Sequence, residues 1–143
     1  MARKSRRRAR EAAFKALYQI EIGCDSQEDA SRDVLEGAGL TEENRRFAHD
    51  LICGVSGKLE EIDAHIAALA KGYSLERLAA VDRAILRLSV YEILYEPDVP
   101  PAVAVNEAVE MAKKYSTEES GAFVNGILGA LIKREGLEPH GTT

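Results

Sequence analysis

At 143 residues, 45% of them apolar, the chain has the size of one ordinary domain and needs no disulfide or metal staple to hold a core. No apolar run reaches membrane-spanning length, the basic N-terminus lacks the apolar segment of a secretion signal, and Cys24 and Cys53 show no paired spacing, which reads as a cytoplasmic protein with reduced thiols. The net charge of −5 hides an asymmetry: Arg3, Lys4, Arg6, Arg7, Arg8 and Arg10 crowd into ten residues that hold no acid, and the remaining 133 residues carry −11. A basic arm on an acidic body predicts one polyanionic partner met locally.

In chain order, Ser5 is placed to cap a first helix running to about Ile22. Its inner face is Ala9, Ala13, Ala16, Leu17 and Ile20, with Phe14 on the flank. Arg6 and Arg10 continue the line of that face toward the N-terminus. Cations there oppose the helix macrodipole, so a cluster of them points to use, and their density is an electrostatic footprint for nucleic acid. As pure solvent-facing cations, Arg6 and Arg10 are expected to be removable with little loss of stability. Gly23 to Ser26 is a turn, and 27–36 a weak helix around Val34 and Leu35, ended by Gly37 and Gly39. Thr41 caps a helix to about Val55, with Phe47, Leu51, Ile52 and Val55 facing in. Gly54, Ser56 and Gly57 predict a kink or restart. Leu59, Ile62, Ile66 and Leu69 form the next stripe, and Gly72 is a stop.

The stretch from Leu78 to Glu96, opened by Ser74, is apolar on most sides and predicts the central rod of an all-α domain of about seven helices. Arg83 and Arg87 share its least aliphatic side. Asp82, Ser89 and Glu92 fall inside the apolar arc and need partners, either within the fold or on a bound molecule. Pro97 ends this helix. Pro101 begins the next, to about Tyr115, with Val105, Ala108, Val109 and Ala112 inward. Ser116-Thr117-Glu118-Glu119 reads as a capping box for a last helix to about Arg134, apolar at Phe123, Val124, Ile127, Leu128 and Leu131. Gly126 and Gly129 each weaken a helix by about 1 kcal/mol relative to alanine, which close approach of a backbone or ligand would explain. Residues 136–143 read as a frayed tail. Enzymatic signals are missing: His49, His65 and His140 are not at ligand spacing, His49, Asp50 and Cys53 make a poor metal set, and no phosphate-cradling loop follows a strand. No catalytic residue, metal or cofactor is expected.

Four segments carry a family resemblance: R-R-R-A-R-E-A-A-F-K-A-L-Y, D-R-A-I-L-R-L-S-V-Y-E-I-L, D-V-P-P-A-V-A-V-N-E-A-V-E-M-A-K-K-Y and E-E-S-G-A-F-V-N-G-I-L. In this order, from Arg6 to Leu128, they resemble the NusB family of bacterial transcription antitermination factors. Residues 23–72 match in helix pattern only. The resemblance implies two small packed helical bundles around the central helix, within one RNA-binding domain over 1–135. It implies binding of single-stranded boxA leader RNA, chiefly of ribosomal RNA operons. It also implies pairing with NusE, a small-subunit ribosomal protein, and membership of the Nus complex on RNA polymerase; members occur as monomers or homodimers. By position, Arg6, Arg7 and Arg10, with Arg3 and Lys4 beside them, match the RNA-contacting arm. Arg87 and Phe123 match positions along the RNA path, and Tyr18, Asp82 and Glu119 match the neighbourhood of the NusE and RNA surfaces. From the residues alone, Phe123 and Tyr18 read equally as core aromatics. Two other readings stand beside this one: a protein–protein adaptor with non-specific RNA affinity, and a stand-alone relative of the helical module that precedes some RNA methyltransferases.

Overall fold

Hydroxyl caps and small residues set where the helices begin and how closely they pack. The computed structural model describes residues 2–23, 26–72 and 74–137, with side chains from residue 6 onward. Among these it contains seven α-helices and no strand: α1 (Ala2–Glu21), α2 (Gln27–Gly37), α3 (Glu42–Gly57), α4 (Leu59–Leu69), α5 (Ala80–Tyr95), α6 (Pro101–Tyr115) and α7 (Glu118–Glu135), with a 3₁₀ turn at Leu75–Arg77 before α5. The helices group into an N-terminal unit, Met1–Gly57, and a C-terminal unit, Lys58–Thr143. The all-α expectation and the two bundles hold. No helix among the described residues is long and apolar enough to cross a membrane.

In the N-terminal unit α1 packs against both α2 and α3. It buries Ala9, Ala12, Ala13 and Ala16 beside Phe14 and Leu17, and methyl-sized side chains let a neighbouring helix come close. Ala30 and Leu35 of α2 and Ala48, Leu51, Ile52 and Val55 of α3 are also buried. The Ser26 hydroxyl accepts the Asp29 N–H (3.1 Å) and caps α2; Thr41 does the same for Asn44 (3.2 Å) ahead of α3. Each such cap is worth about 1 kcal/mol. Three local expectations change. Ser5 lies inside α1, which already begins at Ala2. Phe14 is buried, whereas Phe47 stays half-exposed. Gly54 does not interrupt α3; the break comes at Lys58, between Gly57 and Leu59.

In the C-terminal unit α5 packs against α4, α6 and α7. Ile85, Leu86, Leu88 and Val90 are wholly buried, as the central-rod reading requires. The helix starts two residues later than expected. Leu78 and Ala79 are extended (ψ 144° and 141°), and Arg83 donates to the carbonyls of Leu75 (2.7 Å) and Leu78 (2.9 Å). The Leu75 carbonyl also takes the Leu78 N–H within the 3₁₀ turn (3.2 Å), and Arg83 satisfies the Leu78 carbonyl, which lies outside any helix. Leu78 is buried all the same, so apolar spacing cannot distinguish it from a helical residue. The cap of α7 also shifts by one: Thr117, not Ser116, accepts the Ser120 N–H (2.9 Å), and the Ser116 hydroxyl meets that of Ser120 instead (2.8 Å). Gly136 closes α7 in the left-handed region (φ 69°), and the Leu137 N–H reaches the Ile132 carbonyl (3.0 Å).

The expected close approach at Gly126 and Gly129 is not found among the described residues. A Cβ at either meets nothing within 4 Å. Gly121 is the glycine that needs its size: a Cβ there would lie 2.9 Å from Lys113 Cγ on the facing α6. Gly129→Ala should therefore stabilise the protein by about 0.5–1 kcal/mol through helix propensity and a less disordered unfolded chain. Gly121→Ala should destabilise it. Chemical denaturation of the two variants gives both signs, and a loss of stability at Gly129 would show that glycine is needed there too.

Candidate nucleic-acid interface

Helical geometry sorts the basic arm. Arg6 and Arg10 are one turn apart on α1 and both reach Phe47 on α3. The Arg6 guanidinium carbon lies 3.9 Å from the ring centroid and that of Arg10 lies 5.5 Å away. The Arg6 side chain is one-third exposed, and Arg10 is only 4% exposed. Arg6 also approaches Glu43 at 3.9 Å, but that carboxylate is 85% exposed. A solvated ion pair at this separation contributes about 0–1 kcal/mol, whereas a guanidinium on an aromatic face gains about 0.5–1 kcal/mol, or about 2 when desolvated. Phe47, more than Glu43, therefore holds Arg6 in place. Arg8 is exposed and donates to the Ala38 carbonyl (3.0 Å) at the end of α2, where a cation suits the helix dipole. Arg7 is exposed. Arg3 and Lys4 lie in the first turn of α1, but their side chains fall outside the described residues.

The arm is thus not one solvated finger. Arg10 belongs to the buried part of the N-terminal unit, which corrects the expectation that its removal would leave stability unchanged. The reason is the aromatic ring one helix away, which no local pattern in α1 reveals.

The remaining sequence-selected residues of the path lie in the C-terminal unit. Arg87 makes a two-pronged pair with Asp63 of α4: Nε donates to Oδ1 (2.8 Å) and Nη2 to Oδ2 (2.9 Å). Both side chains are largely buried, at 16% and 24% exposure. Such forks are among the stronger polar contacts in proteins. Phe123 is half-buried on α7, with exposed Gly126 one turn on. Glu119 is exposed in the first turn of α7, where its charge suits the helix N-terminus.

Asp82, in the first turn of α5, is about nine-tenths buried. Ser120 Oγ donates to its Oδ2 (3.1 Å), and Oδ1 is buried without a hydrogen-bond partner. Burial pushes the Asp82 carboxyl above the ordinary aspartate range, and the hydroxyls of Ser120 and Ser116 offset part of that rise. Tyr18, in the N-terminal unit, is half-buried with its ring 6.3 Å from that of Phe14.

Phe47, Asp63 and Ser120 are the site residues that sequence reasoning missed. Phe47 looked like core because it sits on an apolar stripe. Asp63 and Ser120 act 24 and 38 residues away from their partners, and no local spacing points to them. His49 and Cys53 do meet on α3 (Nε2–Sγ 3.6 Å), and Gln27 donates to the same sulfur (3.6 Å). Among the described residues no group of three or more His, Cys, Asp or Glu side chains is arranged to hold a metal ion.

Comparison with known proteins gives a consistent result. The NusB family matches residues 7–133. A transcription antitermination protein NusB of Acetivibrio thermocellus is 49% identical over 128 residues, covering 90% of this chain and 88% of its own. The solved structure of T. maritima NusB superposes with a TM-score of 0.84 at 42% identity, over 90% of each chain. A crystal structure of the antitermination factors NusB and NusE in complex with dsRNA contains a chain that superposes with a TM-score of 0.84 at 31% identity, over 92% of this chain and 98% of that one.

Two expectations follow from the site geometry. The fold favours the protonated form of Asp82. Well below the ordinary aspartate range, folded and unfolded chains both hold the proton and nothing is lost. As pH rises the unfolded chain ionises first, so stability falls until the folded carboxyl ionises as well. Asp82→Asn should therefore gain in melting temperature on the unchanged protein as pH rises from below the ordinary aspartate range through it. A gap that stays constant over that span would assign Asp82 no pH-dependent cost. Separately, Asp63→Ala should cost about 1–2 kcal/mol in denaturant unfolding, because it removes a two-pronged charged contact from a largely buried guanidinium.

Proposed function

The chain belongs to the NusB family, and from that premise we propose that it is a transcription antitermination factor that binds boxA leader RNA together with NusE and helps RNA polymerase read through terminators, chiefly in ribosomal RNA operons. The observation that carries this reading is the cationic first half of α1, with Arg6 held at the surface by Phe47 and Arg7 beside it, on a chain that is otherwise strongly acidic. Arginines in such a place attract phosphates in a salt-dependent way. The relative solved with NusE and RNA supports the choice of partners. Residues 1–135 act as one RNA-binding domain, residues 136–143 lie outside it, and the protein works in the cytoplasm by binding, without catalysis.

Within this reading the residues take different parts. Arg6 and Arg7, with Arg3 and Lys4, meet the RNA backbone. Arg10 supports them from within the fold. Phe123 offers a partly exposed ring for a splayed base, the usual way single-stranded RNA is specified. Arg87 reaches RNA only by sharing its guanidinium with Asp63. Tyr18 and Glu119 are accessible enough to meet NusE or RNA, and Asp82 acts on that surface through Ser120 and the cap of α7. A second copy of the chain, as in a homodimer, would compete for the same surface.

The test is fluorescence anisotropy with labelled single-stranded boxA RNA, a scrambled strand and an RNA duplex, each with and without purified NusE. The expected result is a preference for the boxA strand that sharpens with NusE. Four arm residues on phosphates, at about −0.7 each, give a log–log salt slope of about −3. Equal weak binding to all three RNAs, unchanged by NusE, would move the protein–protein adaptor reading ahead. A slope near zero would take the arm out of the RNA contact.

A further inference from the structure

Phe47 is the residue on which the arm converges, and no motif marks it as functional. Its ring is partly exposed, it receives Arg6 at 3.9 Å, and Arg10 stands 5.5 Å from the same centroid. Arg10 is buried and Arg6 is not, so one guanidinium is fixed in the fold while the other stands at the surface beside it. We propose that Phe47 is a positioning residue for RNA recognition: its ring holds the Arg6 guanidinium flush with the surface so that an unpaired RNA base stacks on Arg6, forming a Phe47–Arg6–base column. This deepens the RNA-binding reading and rests on it.

Three physical points lead here. A guanidinium is planar and weakly hydrated, and it stacks on π-faces as readily as it pairs with phosphate. With Phe47 covering part of it, the solvent-facing part of Arg6 is the surface left for a ligand, and a base fits it. An arginine in the first turns of a helix would otherwise sample many rotamers; the ring removes that freedom before RNA arrives, which raises affinity without adding a contact. The alternative restraint, Glu43, is too exposed to fix Arg6 and gives way to an incoming phosphate.

The column makes a prediction that bulk electrostatics does not. Losing Phe47 weakens binding while the number of neutralised phosphates stays the same. Losing Arg6 weakens binding and lowers the salt slope as well. The experiment uses the full chain and a 5′-fluorescein single-stranded boxA RNA, together with a series in which each base in turn is replaced by an abasic site. Phe47→Leu should weaken binding at least about fivefold, with an unchanged salt slope. Phe47→Tyr and Phe47→Trp, which keep a π-face, should restore it. One abasic position should weaken the unchanged protein to a similar extent and weaken Phe47→Leu no further.

Should Phe47→Leu fail to fold, Arg6→Lys decides the matter. It keeps the charge and loses the plane, so it should retain the salt slope and lose sensitivity to that same abasic position. If Phe47→Leu or Arg6→Lys responds to every abasic site as the unchanged protein does, while Arg6→Ala binds more weakly, the column is wrong and RNA binding stands. If the unchanged protein does not distinguish boxA from the scrambled strand, the RNA-binding reading itself fails.

Discussion

α1 must satisfy two demands that pull against each other. It buries a face of Ala9, Ala12, Ala13, Ala16 and Leu17, and its N-terminal end carries six basic residues in the first ten. A helix N-terminus is already electropositive, so those cations raise the local potential further. The aromatic ring of Phe47 is one device that reconciles the two: Arg6 and Arg10 both approach it, Arg10 buried and Arg6 at the surface. An uncharged π-face holds a guanidinium without itself neutralising it. The way the N-terminal unit presents cations depends on this contact.

The C-terminal unit treats charge in the opposite manner. Its arginines on α5 are engaged within the fold. Arg83 closes the 3₁₀ turn before the helix, and Arg87 forks onto Asp63. Polar groups within the apolar arc are likewise provided for: Ser89 donates back to the Ile85 carbonyl (2.8 Å), and Asp82 takes the Ser120 hydroxyl. Asp82 is the costly member, since one of its oxygens is buried without a hydrogen bond. Linking the first turn of α5 to the cap of α7, it ties two helix starts together through Ser116, Thr117 and Ser120. The Asp82 carboxyl thus shares one hydrogen-bonded network with the first turn of α7, where Glu119 sits, a turn ahead of Phe123.

Belonging to the NusB family gives these arrangements a purpose without changing their physics. Attracting a polyanion needs cations that stay accessible at the surface. Here the excess of acid is spread over the rest of the chain, Arg6 is held by a ring and Arg8 by a helix-end carbonyl. Long-range attraction thus comes from a small, fixed region, which is the arrangement that steers a polyanion to one place.

Local signals determined the helices and several of their ends. Apolar spacing at 3.6 residues per turn marked all seven, Thr41 capped α3 as its position suggests, and Pro97 and Pro101 bounded the connector between α5 and α6. The asymmetry of charge also came directly from the chain, because it depends on composition alone. What the sequence could not supply were the partners across helices. The fork from Arg87 to Asp63 and the burial of Arg10 against Phe47 depend on side chains on other helices, and the openness of Gly126 and Gly129 on where neighbouring helices run; the one-residue shift at Thr117 and the start of α5 at Ala80 turn on nearer groups, the Ser120 N–H and the Arg83 guanidinium. Periodicity reports which face of a helix is apolar. Only tertiary packing decides which polar group that face meets, and so which cations are buried in the fold and which remain for a partner.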